Sequence, residues 1–458
     1  MAKDPDVVII GAGMAGLAAA GDLGRAGLSV CILEARDRLG GRVFTQRDPE
    51  CDSPIELGAE FIHGKPREIL NPLQTADATL HEVDGDNWCA LEGRLSACNF
   101  FSDVDSILRA MDDWLPDESF LAFLERCYGN PRTKRLQQAK QQAIGYVSGF
   151  NAADPAKVGV HWLVGEMRAE EAIQGDRAFR SQNGYEDLLS IFRQQIAGRG
   201  VEVRTATMVQ SVDWRSGYVR VTVQCSQGPS ILDASKVLVT LPLSLLKAPI
   251  GQLGAIEFIP ALPQPKIAAL DHLEMGKAIR LVLRFRERFW ESIKPSLRTR
   301  RNLASLAFLF SRDQWFPTWW TTMPKKAPII TGWAPFRSAE RLSGQSDSFV
   351  VDRSLETLSN LLGPSAQELQ ILLEAAYFHD WQQDPFSMGA YSYGKVGADG
   401  AQHALAAPLN NTLFFAGEAT DTSGHNGTVH GAIASGHRAA AQILQGMDSF
   451  SPATVAAS

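Results

Sequence analysis

The fold is decided by the stretch Val-Val-Ile-Ile-Gly-Ala-Gly-Met-Ala-Gly, residues 7–16, near the start of the chain. A short, continuous apolar run such as Val7–Ile10 predicts a strand that is buried on both faces of a parallel sheet. The glycines predict the turn that follows it. Gly11 permits a tight turn, Gly13 lets the backbone approach a pyrophosphate, and Gly16 lets a helix pack closely on the strand. The Ala- and Leu-rich segment after the turn predicts that helix.

An acidic residue follows this turn at the place where a dinucleotide requires one. The segment 28–33, Leu-Ser-Val-Cys-Ile-Leu, predicts a second strand, and Glu34 stands at its end. A carboxylate there bonds ribose hydroxyls, while the phosphates lie at the helix N-terminus, whose free N–H groups and dipole favour anions. The alternative is a glycine-rich loop of another α/β protein, and the order strand, turn, helix, strand and acid argues against it. The motif alone does not distinguish NAD from FAD.

A second loop continues from this acid, with the sequence Glu-Ala-Arg-Asp-Arg-Leu-Gly-Gly-Arg at residues 34–42. Two glycines and flanking arginines offer backbone amides and guanidinium groups to phosphates, and the alternative is a solvated turn. With these residues the sequence resembles the flavin-containing amine oxidases, which include monoamine, polyamine and spermine oxidases, a histone demethylase and L-amino acid oxidases. The resemblance implies FAD, with Glu34 on the adenosine ribose and Gly40-Gly41-Arg42 along the pyrophosphate and isoalloxazine.

The resemblance extends over nearly the whole chain. Similar segments occur in the family's order at residues 56–64, 205–212, 237–242, 381–393 and 414–432. It implies that Val209 clamps the adenine, that Trp381 forms a wall of the flavin site, and that the Val429 N–H faces the flavin pyrimidine. The full set of implied cofactor-binding residues is Gly11, Gly13, Met14, Ala15, Gly16, Glu34, Ala35, Arg36, Gly41, Arg42, Gly58, Ala59, Glu60, Val209, Trp381, Gly417, Glu418, Thr428 and Val429.

The fold class that the resemblance implies is α/β (α+β), of the amine oxidase and p-hydroxybenzoate hydroxylase kind. A Rossmann-like FAD-binding domain would be interwoven with a substrate-binding domain of mixed sheet and helices. The expected FAD-binding segments are 1–78, 201–265 and 385–447. The expected substrate-binding segments are 79–200 and 266–384, and a flexible tail follows at 448–458. Hydrophobic spacing predicts helix across 104–146, β-structure over 201–242, and a strand at 278–285.

The chemistry that the resemblance implies is FAD-dependent amine oxidation. The flavin N5 accepts a hydride from the carbon that bears the amine, the imine hydrolyses to an aldehyde or ketone, and O2 reoxidises the flavin to give hydrogen peroxide. The expected substrate is a primary or secondary amine, with polyamines among the candidates. Ala390 stands where monoamine oxidases carry the cysteine that bonds to FAD, so noncovalent FAD is expected. A dry aromatic site would favour the neutral amine that the reaction needs.

Four residues are catalytic candidates, and Arg280 is the most consequential of them. The family usually has at this position a lysine that holds a water at flavin N5. Arginine keeps a positive charge but does not act as a base. The alternative is that Lys277 reaches inward instead, but strand alternation puts the two on opposite faces, and the match to the family favours Arg280. A dehydrogenase that uses another electron acceptor therefore stays an alternative.

The other three candidates are His63, Tyr391 and Thr428. His63 is interpreted as an amine contact or a proton-handling group near neutral pH, with a hydrogen-bonded structural histidine as the alternative. Tyr391 matches one side of the family's aromatic cage and is equally well a packed strand residue. Thr428 replaces the second cage tyrosine, so half a cage and a wider site are expected. His430 is interpreted as a structural residue at a helix start.

Two further segments have a functional and a structural interpretation. The aromatic residues within 315–333 line a pocket in one interpretation and form core in the other, which is favoured for most of them. The acidic residues within 166–176 bind distant amino groups of a polyamine or, as favoured here, form a charged loop or helix face. Two other functions stay open, an L-amino acid oxidase and a non-catalytic flavin-binding interaction protein. The intact cofactor motifs argue against the second.

Composition excludes several classes of function. The chain has 458 residues and a net charge of −7, unlike a nucleic-acid-binding domain. Its six cysteines are scattered, which favours reduced thiols over disulfides or a metal site. No signal peptide and no apolar stretch of membrane-spanning length is seen, so we expect a cytoplasmic protein without a membrane partner. A monomer or homodimer that acts on a small amine and O2 is the expected assembly.

Overall fold

The computed structural model describes residues 4–91, 93–98, 100–295 and 302–448. The strands are β1 (Val7–Ile10), β2 (Val30–Leu33), β3 (Thr45–Asp48), β4 (Cys51–Glu56), β5 (Ile62–His63), β6 (Leu80–Glu82), β7 (Asp86–Leu91), β8 (Arg94–Ala97), β9 (Ala178–Ser181), β10 (Val201–Arg204), β11 (Met208–Arg215), β12 (Tyr218–Cys225), β13 (Gly228–Ala234), β14 (Lys236–Val239), β15 (Glu257–Ile259), β16 (Leu273–Met275), β17 (Ala278–Phe285), β18 (Leu306–Ser311), β19 (Thr318–Thr321), β20 (Ile329–Pro335), β21 (Leu373–Phe378), β22 (Ser392–Gly394) and β23 (Leu413–Phe415).

The helices lie between these strands, singly or in succession, along the chain. They are α1 (Met14–Arg25), α2 (Arg67–Thr75), α3 (Phe100–Leu108), α4 (Phe120–Tyr128), α5 (Lys134–Phe150), α6 (Val160–Ala172), α7 (Glu186–Ile196), α8 (Leu243–Leu246), α9 (Gln264–His272), α10 (Arg337–Leu342), α11 (Asp347–Leu362), α12 (Ala366–Leu372), α13 (Ala401–Ala406) and α14 (Val429–Asp448). Apart from residue 448, the tail predicted at 448–458 lies outside the described residues. Within them, no helix is long and apolar enough to cross a membrane.

The chain divides into two compact units, each made of separate segments. The first comprises the described parts of 1–41, 188–273 and 400–458, and the second comprises those of 42–187 and 274–399. The contacts thus group residues 42–78 and 385–399 with the second unit, whereas the sequence analysis assigned them to FAD binding. That assignment concerns function, and it stays a prediction.

The first unit is built on a parallel sheet in the order β10-β2-β1-β14-β23. In β1, Val7 pairs with Val30 on one side and with Lys236 on the other. All four residues of β1 are buried, as its continuous apolar run predicts. Helix α14 packs closely on α1, since a Cβ on Gly436 would lie 2.3 Å from the Ala15 carbonyl oxygen. The predicted strand, turn, helix and strand are all present.

A second sheet of the first unit has the order β13-β12-β11-β15. Its alternating valines Val219, Val221 and Val223 are buried in one cluster with Val8 and Ile10 of the parallel sheet. The β-structure predicted over 201–242 is therefore confirmed. This packing fixes the position of β11, the strand that carries Val209.

The second unit is built on a seven-stranded sheet in the order β21-β17-β20-β19-β18-β7-β8. Strand β17 lies between β21 and β20, and all eight of its residues are buried. Alternation along it has a direct consequence for the site. Ile279, Leu281 and Leu283 join a core that includes residues of α10, α11 and α12, so Arg280 and Val282 face the opposite side of the sheet.

The helical part of the second unit differs from the prediction. The helix expected across 104–146 is three helices, α3, α4 and α5, whose apolar residues share one core with α6. Proline disfavours helical conformation in the residue before it, and Pro116 and Pro131 lie in the two breaks. The favoured interpretation of the aromatic stretch holds for Trp319, which is fully buried in the sheet core.

The cysteine prediction is wrong for one pair. Cys89 of β7 and Cys98 just after β8 form a disulfide, with Cα atoms 5.6 Å apart. The antiparallel pairing of β7 with β8 brings them together, which scattered sequence spacing does not reveal. The remaining four cysteines, Cys31, Cys51, Cys127 and Cys225, are free thiols.

Thiol counting tests this pair. The denatured protein is expected to react as four free thiols without reductant and as six after reduction. Replacing Cys89 and Cys98 together by alanine removes the constraint on a short loop of the unfolded chain, and we expect a loss of about 2–3 kcal/mol in unfolding free energy. Cys127→Ser, at an exposed free thiol, is the matched control. Six reactive thiols before reduction would contradict the assignment.

Candidate active site

The glycine turn of the first unit is shaped to receive an anion. Gly11 has φ 105°, which favours glycine, and a Cβ on Gly16 would lie 2.1 Å from the Gly11 carbonyl oxygen. Helix α1 begins with Gly13 as its N-cap, without a side-chain cap bond and without an acidic residue in its first turn. The backbone N–H groups of Met14 and Ala15 therefore lie at a helix N-terminus that has no side-chain cap. Such an end fits a bound phosphate.

The second glycine loop meets the first one. The Gly40 N–H donates to the Ala12 carbonyl at 2.9 Å, and a Cβ on Gly41 would lie 3.2 Å from the Gly13 Cα. Two glycine backbones thus approach each other over the start of α1. The residues fit the arrangement that a pyrophosphate needs, since close backbone approach requires positions without side chains.

Glu34 is buried at the carboxyl end of β2, where the prediction placed it. Its Oε2 accepts from the Ala12 N–H at 2.8 Å. Its Oε1 accepts from the N–H of Arg36, which follows Ala35 in sequence, at 2.9 Å. Each carboxylate oxygen keeps a further lone pair. The carboxylate is thus held ready to accept hydrogen bonds from a ribose.

The C-terminal segment of the first unit carries further candidates. The Gly417 N–H donates to Ser435 Oγ at 2.8 Å, and Glu418 is buried and accepts from the Gly427 N–H at 3.0 Å. Thr428 immediately precedes Val429, the first residue of α14. Its hydroxyl donates to the His425 carbonyl at 2.7 Å and accepts from the Gly431 N–H at 3.0 Å. These bonds stabilise the helix start, and a catalytic role for Thr428 stays a prediction.

In the second unit, the segment after β4 is packed against the backbone that follows the glycine loops. A Cβ on Gly58 would lie 1.8 Å from the Arg42 carbonyl oxygen, and the Ala59 N–H donates to the same oxygen at 3.2 Å. The Arg42 guanidinium donates to the Ala390 carbonyl at 2.8 Å. Trp381 is buried, and its Nε1 donates to the Leu57 carbonyl at 2.8 Å. These contacts join three of the predicted flavin-binding segments.

Arg280 is buried beneath this segment. It donates to the Gly58 carbonyl, lies 3.5 Å from a carboxylate oxygen of Glu60, and has its guanidinium 5.2 Å from the Trp320 ring centroid. Burial lowers the pKa of Arg280, and the neighbouring carboxylates oppose that shift. Lys277 is instead exposed and pairs with Glu340 at 2.9 Å, so it does not replace Arg280 inside.

Glu60 is the centre of a charge cluster that sequence analysis missed. Its carboxylate pairs with Arg180 at 2.6 Å and with Arg280, and it accepts from Trp320 Nε1 at 3.0 Å. Burial opposes its ionisation, but Arg180 and Arg280 outweigh burial and hold the pKa of Glu60 below its usual range. No sequence spacing links Glu60 to Arg180, because only the pairing of β5 with β9 brings their segments together.

His63 lies in a cluster of rings with Phe61 and Phe150, which we call the aromatic group. Its ring centroid is 5.2 Å from that of Phe150 and 6.0 Å from that of Phe61. Burial lowers the pKa of His63 to about 4, so the imidazole is neutral near pH 7. This shift weighs against proton handling near neutral pH and favours a contact to an amine through a neutral ring nitrogen, and the role of His63 stays a prediction.

Tyr391 is fixed by the same aromatic group. Its hydroxyl donates to the Phe150 carbonyl at 2.6 Å, and the Phe150 ring stacks on Tyr146 at 5.2 Å. Burial raises the pKa of Tyr391 well above its usual range, so the phenol stays protonated. The structure thus brings together two of the predicted residues, His63 and Tyr391, through Phe150.

Two carboxylates of α6 adjoin this aromatic group. Both oxygens of Glu166 accept from the Asn151 amide, at 2.7 and 2.6 Å. Burial, with repulsion from Glu170, raises the pKa of Glu166 to about 8, and burial raises that of Glu170 to about 7. Glu171 and Asp176 are exposed, as a solvated charged face predicts, but Glu166 and Glu170 are not.

The comparisons with known proteins agree on one family. The model of the "flavin containing amine oxidoreductase" family matches residues 14–90 and 103–444. The chain is 28% identical to lysine-specific histone demethylase 1 homolog 3 of Arabidopsis thaliana, covering 96% of this chain and 30% of that protein. It is 27% identical to polyamine oxidase 4 of Oryza sativa subsp. japonica, covering 96% and 88%.

A similar fold is found in a solved structure. Putrescine oxidase bound to putrescine superposes with a TM-score of 0.78 at 20% identity, over 96% of this chain and 99% of that one. The predicted fold class is confirmed by this match.

Proposed function

Because the chain belongs to the flavin-containing amine oxidoreductase family, we propose that this FAD-dependent enzyme oxidises amines that carry a second amino group. FAD, when bound, accepts the hydride from the amine carbon and passes the electrons to O2, which gives hydrogen peroxide. The observation that carries the substrate class is the pair Glu166 and Glu170 beside the aromatic group of His63 and Phe150. The names of two similar proteins, polyamine oxidase 4 and putrescine oxidase, indicate that they oxidise amines of this kind.

Different residues of the chain are proposed to bind the two ends of the substrate. The aromatic group around Phe61, His63 and Phe150 offers a low-dielectric surface without a charged histidine, which favours the neutral amine at the reacting end. The carboxylates of α6 offer an anionic partner for the ammonium at the other end. The site would therefore bind one amino group of the substrate as a neutral amine and the other as an ammonium ion.

Arg280 is proposed to position the flavin-binding segment 56–60 rather than to move a proton. Its guanidinium is bound to the Gly58 carbonyl and adjoins Glu60, and arginine does not act as a base. The same contacts weigh against an L-amino acid as substrate. A substrate carboxylate would have to compete with Glu60 for this cation.

The decisive experiment is anaerobic reduction of the purified flavoprotein. We expect 1,4-diaminobutane to bleach the flavin, butylamine to do so more weakly, and amino acids not to do so. Admission of air should restore the colour with formation of peroxide, and denaturation should release FAD, since Ala390 offers no thiol. No bleaching by any amine would refute the function. Bleaching without peroxide would identify a dehydrogenase. The monomer or homodimer and the cytoplasmic location predicted above stay proposals.

At pH 9, where Glu166 is ionised, Glu166→Gln is expected to raise KM for 1,4-diaminobutane by about 10- to 100-fold, since a hydrogen bond to a charged group contributes roughly 1.5–3 kcal/mol. KM for butylamine, which lacks the distal ammonium, should change by less than about twofold. Glu171→Gln, at an exposed position of the same helix, is the matched control. Equal effects on the two substrates would contradict the proposed contact.

The pH dependence should have the same origin. Glu166 and Glu170, with pKa values of about 8 and about 7, become anionic as pH rises through this range. The ratio of the KM for 1,4-diaminobutane to that for butylamine is therefore expected to fall between pH 6 and 9. Ionisation of the reacting amine affects the KM of both substrates, so this effect cancels in the ratio. A ratio independent of pH would show that these carboxylates do not bind the substrate.

A further inference from the structure

A cavity lies in the second unit, beside the charge cluster of Glu60. It has an empty volume of about 660 Å³, part of it open to solvent. Its apolar walls come from β17, β20 and the turn before β20, and include Val282, Ile329 and Met323. Neither His63 nor Tyr391 lines it, so it is distinct from the aromatic group proposed to receive the reacting amine.

One wall of this cavity carries an unsatisfied hydroxyl. Ser53 is 2% exposed, and its Oγ is buried without a hydrogen-bond partner. A buried hydroxyl without a partner is destabilising, so such groups are rare in stable folds. Because Ser53 lines the cavity, a group that occupies the cavity can supply the missing bond.

The adjacent carboxyl group of Glu56 also has acceptor capacity to spare. Its Oε1 accepts from the Tyr185 N–H at 2.7 Å, and its Oε2 accepts from Thr45 Oγ1 at 2.9 Å. A carboxylate accepts about four hydrogen bonds, so each oxygen keeps one free position.

The side chains of Arg180 and Lys325, which line the cavity, bind protein acceptors. Arg180 donates to Glu60, to the Met323 carbonyl at 2.8 Å and to the Thr321 carbonyl at 3.0 Å. Lys325 donates to the Asp52 carbonyl at 2.9 Å near the surface. Both cations therefore direct these donors to protein acceptors, whereas the acceptor positions of Glu56 and the Ser53 hydroxyl remain open.

We propose that this cavity binds a primary alkylammonium ion, with the ammonium on Glu56 and Ser53 and the alkyl group against Val282 and Ile329. An ammonium has three donors and no acceptor, which matches the open acceptor positions of Glu56 and Ser53. A short alkyl group matches the apolar walls. The site is separate from that of the substrate and would let an amine bind this protein without being oxidised.

The charges around Glu56 set the pH dependence of this site. Thr45 from β3 and the Tyr185 N–H bond the carboxyl group, Glu60 repels its charge, and Arg280 from β17 attracts it. Burial is the largest influence and raises the pKa of Glu56 to about 7. Because the ammonium requires the ionised carboxylate, its affinity should increase about tenfold between pH 6 and pH 8.

The test uses tert-butylammonium, whose nitrogen-bearing carbon has no hydrogen and therefore cannot be oxidised. Calorimetric titration into the FAD-loaded protein at pH 8 should show a site that persists in Glu166→Gln, where a proposed substrate carboxylate is removed, and neutral tert-butanol of the same shape should not bind. Glu56→Gln and Ser53→Val should each weaken binding at least about tenfold, whereas Glu166→Gln should leave it unchanged. Ser53→Val keeps the assay decisive if Glu56→Gln does not fold.

Three results would overturn the site: no binding at pH 8, equal affinity in wild type and both cavity variants, or affinity lost only in Glu166→Gln. The last result would place the probe at the proposed substrate carboxylates. Because the probe is inert to oxidation, failure of this site and failure of amine oxidation are measured independently.

Discussion

Gly13→Ala is expected to give a protein that folds normally and has lost its flavin. Gly13 has φ −73° and ψ 178°, which alanine adopts readily, and a Cβ there meets no atom within 4 Å. The fold should therefore accept the substitution. The same Cβ would occupy the space through which a pyrophosphate approaches the backbone, so FAD affinity should fall by on the order of 100-fold.

Two other glycines provide the comparison. Gly16→Ala places a Cβ 2.1 Å from the Gly11 carbonyl oxygen, so this variant should lose stability as well as flavin. Gly145→Ala, in α5 with no atom within 4 Å of the new Cβ, should change neither flavin content nor activity. Flavin absorbance per chain and thermal unfolding of the flavin-free proteins separate the three cases. Full flavin content in Gly13→Ala would contradict the proposed position of the phosphates.

The first unit was predictable because its signals are local. Strand, glycine turn, helix, second strand and acid follow one another within 34 residues, and each is recognised from residue type and spacing alone. The structure has all of them, including the buried Glu34. Prediction was weaker where distant strands decide the outcome. The bond between Cys89 and Cys98 depends on the pairing of β7 with β8, and no cysteine pattern indicates it.

The candidate site was predicted only in part, for the same reason. Strand alternation indicated that Arg280 faces away from Lys277, and the structure has one buried and the other exposed. The charged neighbours of Arg280 were not foreseeable, since Glu60, which pairs with it, and Arg180, which shares Glu60, lie far from it in sequence. Burial also changes what a residue type can do. His63 was expected to handle protons near neutral pH or to contact an amine, and burial lowers its pKa to about 4.

The cluster around Glu60 should be the most sensitive point of the second unit. Glu60→Gln leaves Arg180 and Arg280 buried without their shared counter-charge, at side-chain exposures of 14% and 8%. Removal of one partner from a buried ion pair destabilises by about 3–5 kcal/mol, and that loss is the expected change in unfolding free energy. Glu340→Gln is the matched control. It removes the partner of Lys277 and Arg337 at the surface, where ion pairs contribute roughly 0–1 kcal/mol.

The pH dependence gives this prediction a second, independent readout. The pKa of Glu60 is held below its usual range, so its ionisation stabilises the fold above the unfolded-state pKa of about 4.3 and ceases to do so as pH falls through the folded pKa. Glu56, with a raised pKa, acts in the opposite sense between about pH 4 and 7, and repulsion from Glu60 contributes to that shift in the wild type. Above about pH 8 Glu56 is ionised in both proteins, and the difference in unfolding free energy between wild type and Glu60→Gln should there be constant. We expect this difference to shrink below about pH 4, where Glu60 becomes protonated. A difference that stays constant into strong acid would mean that Glu60 contributes through packing and not through its charge.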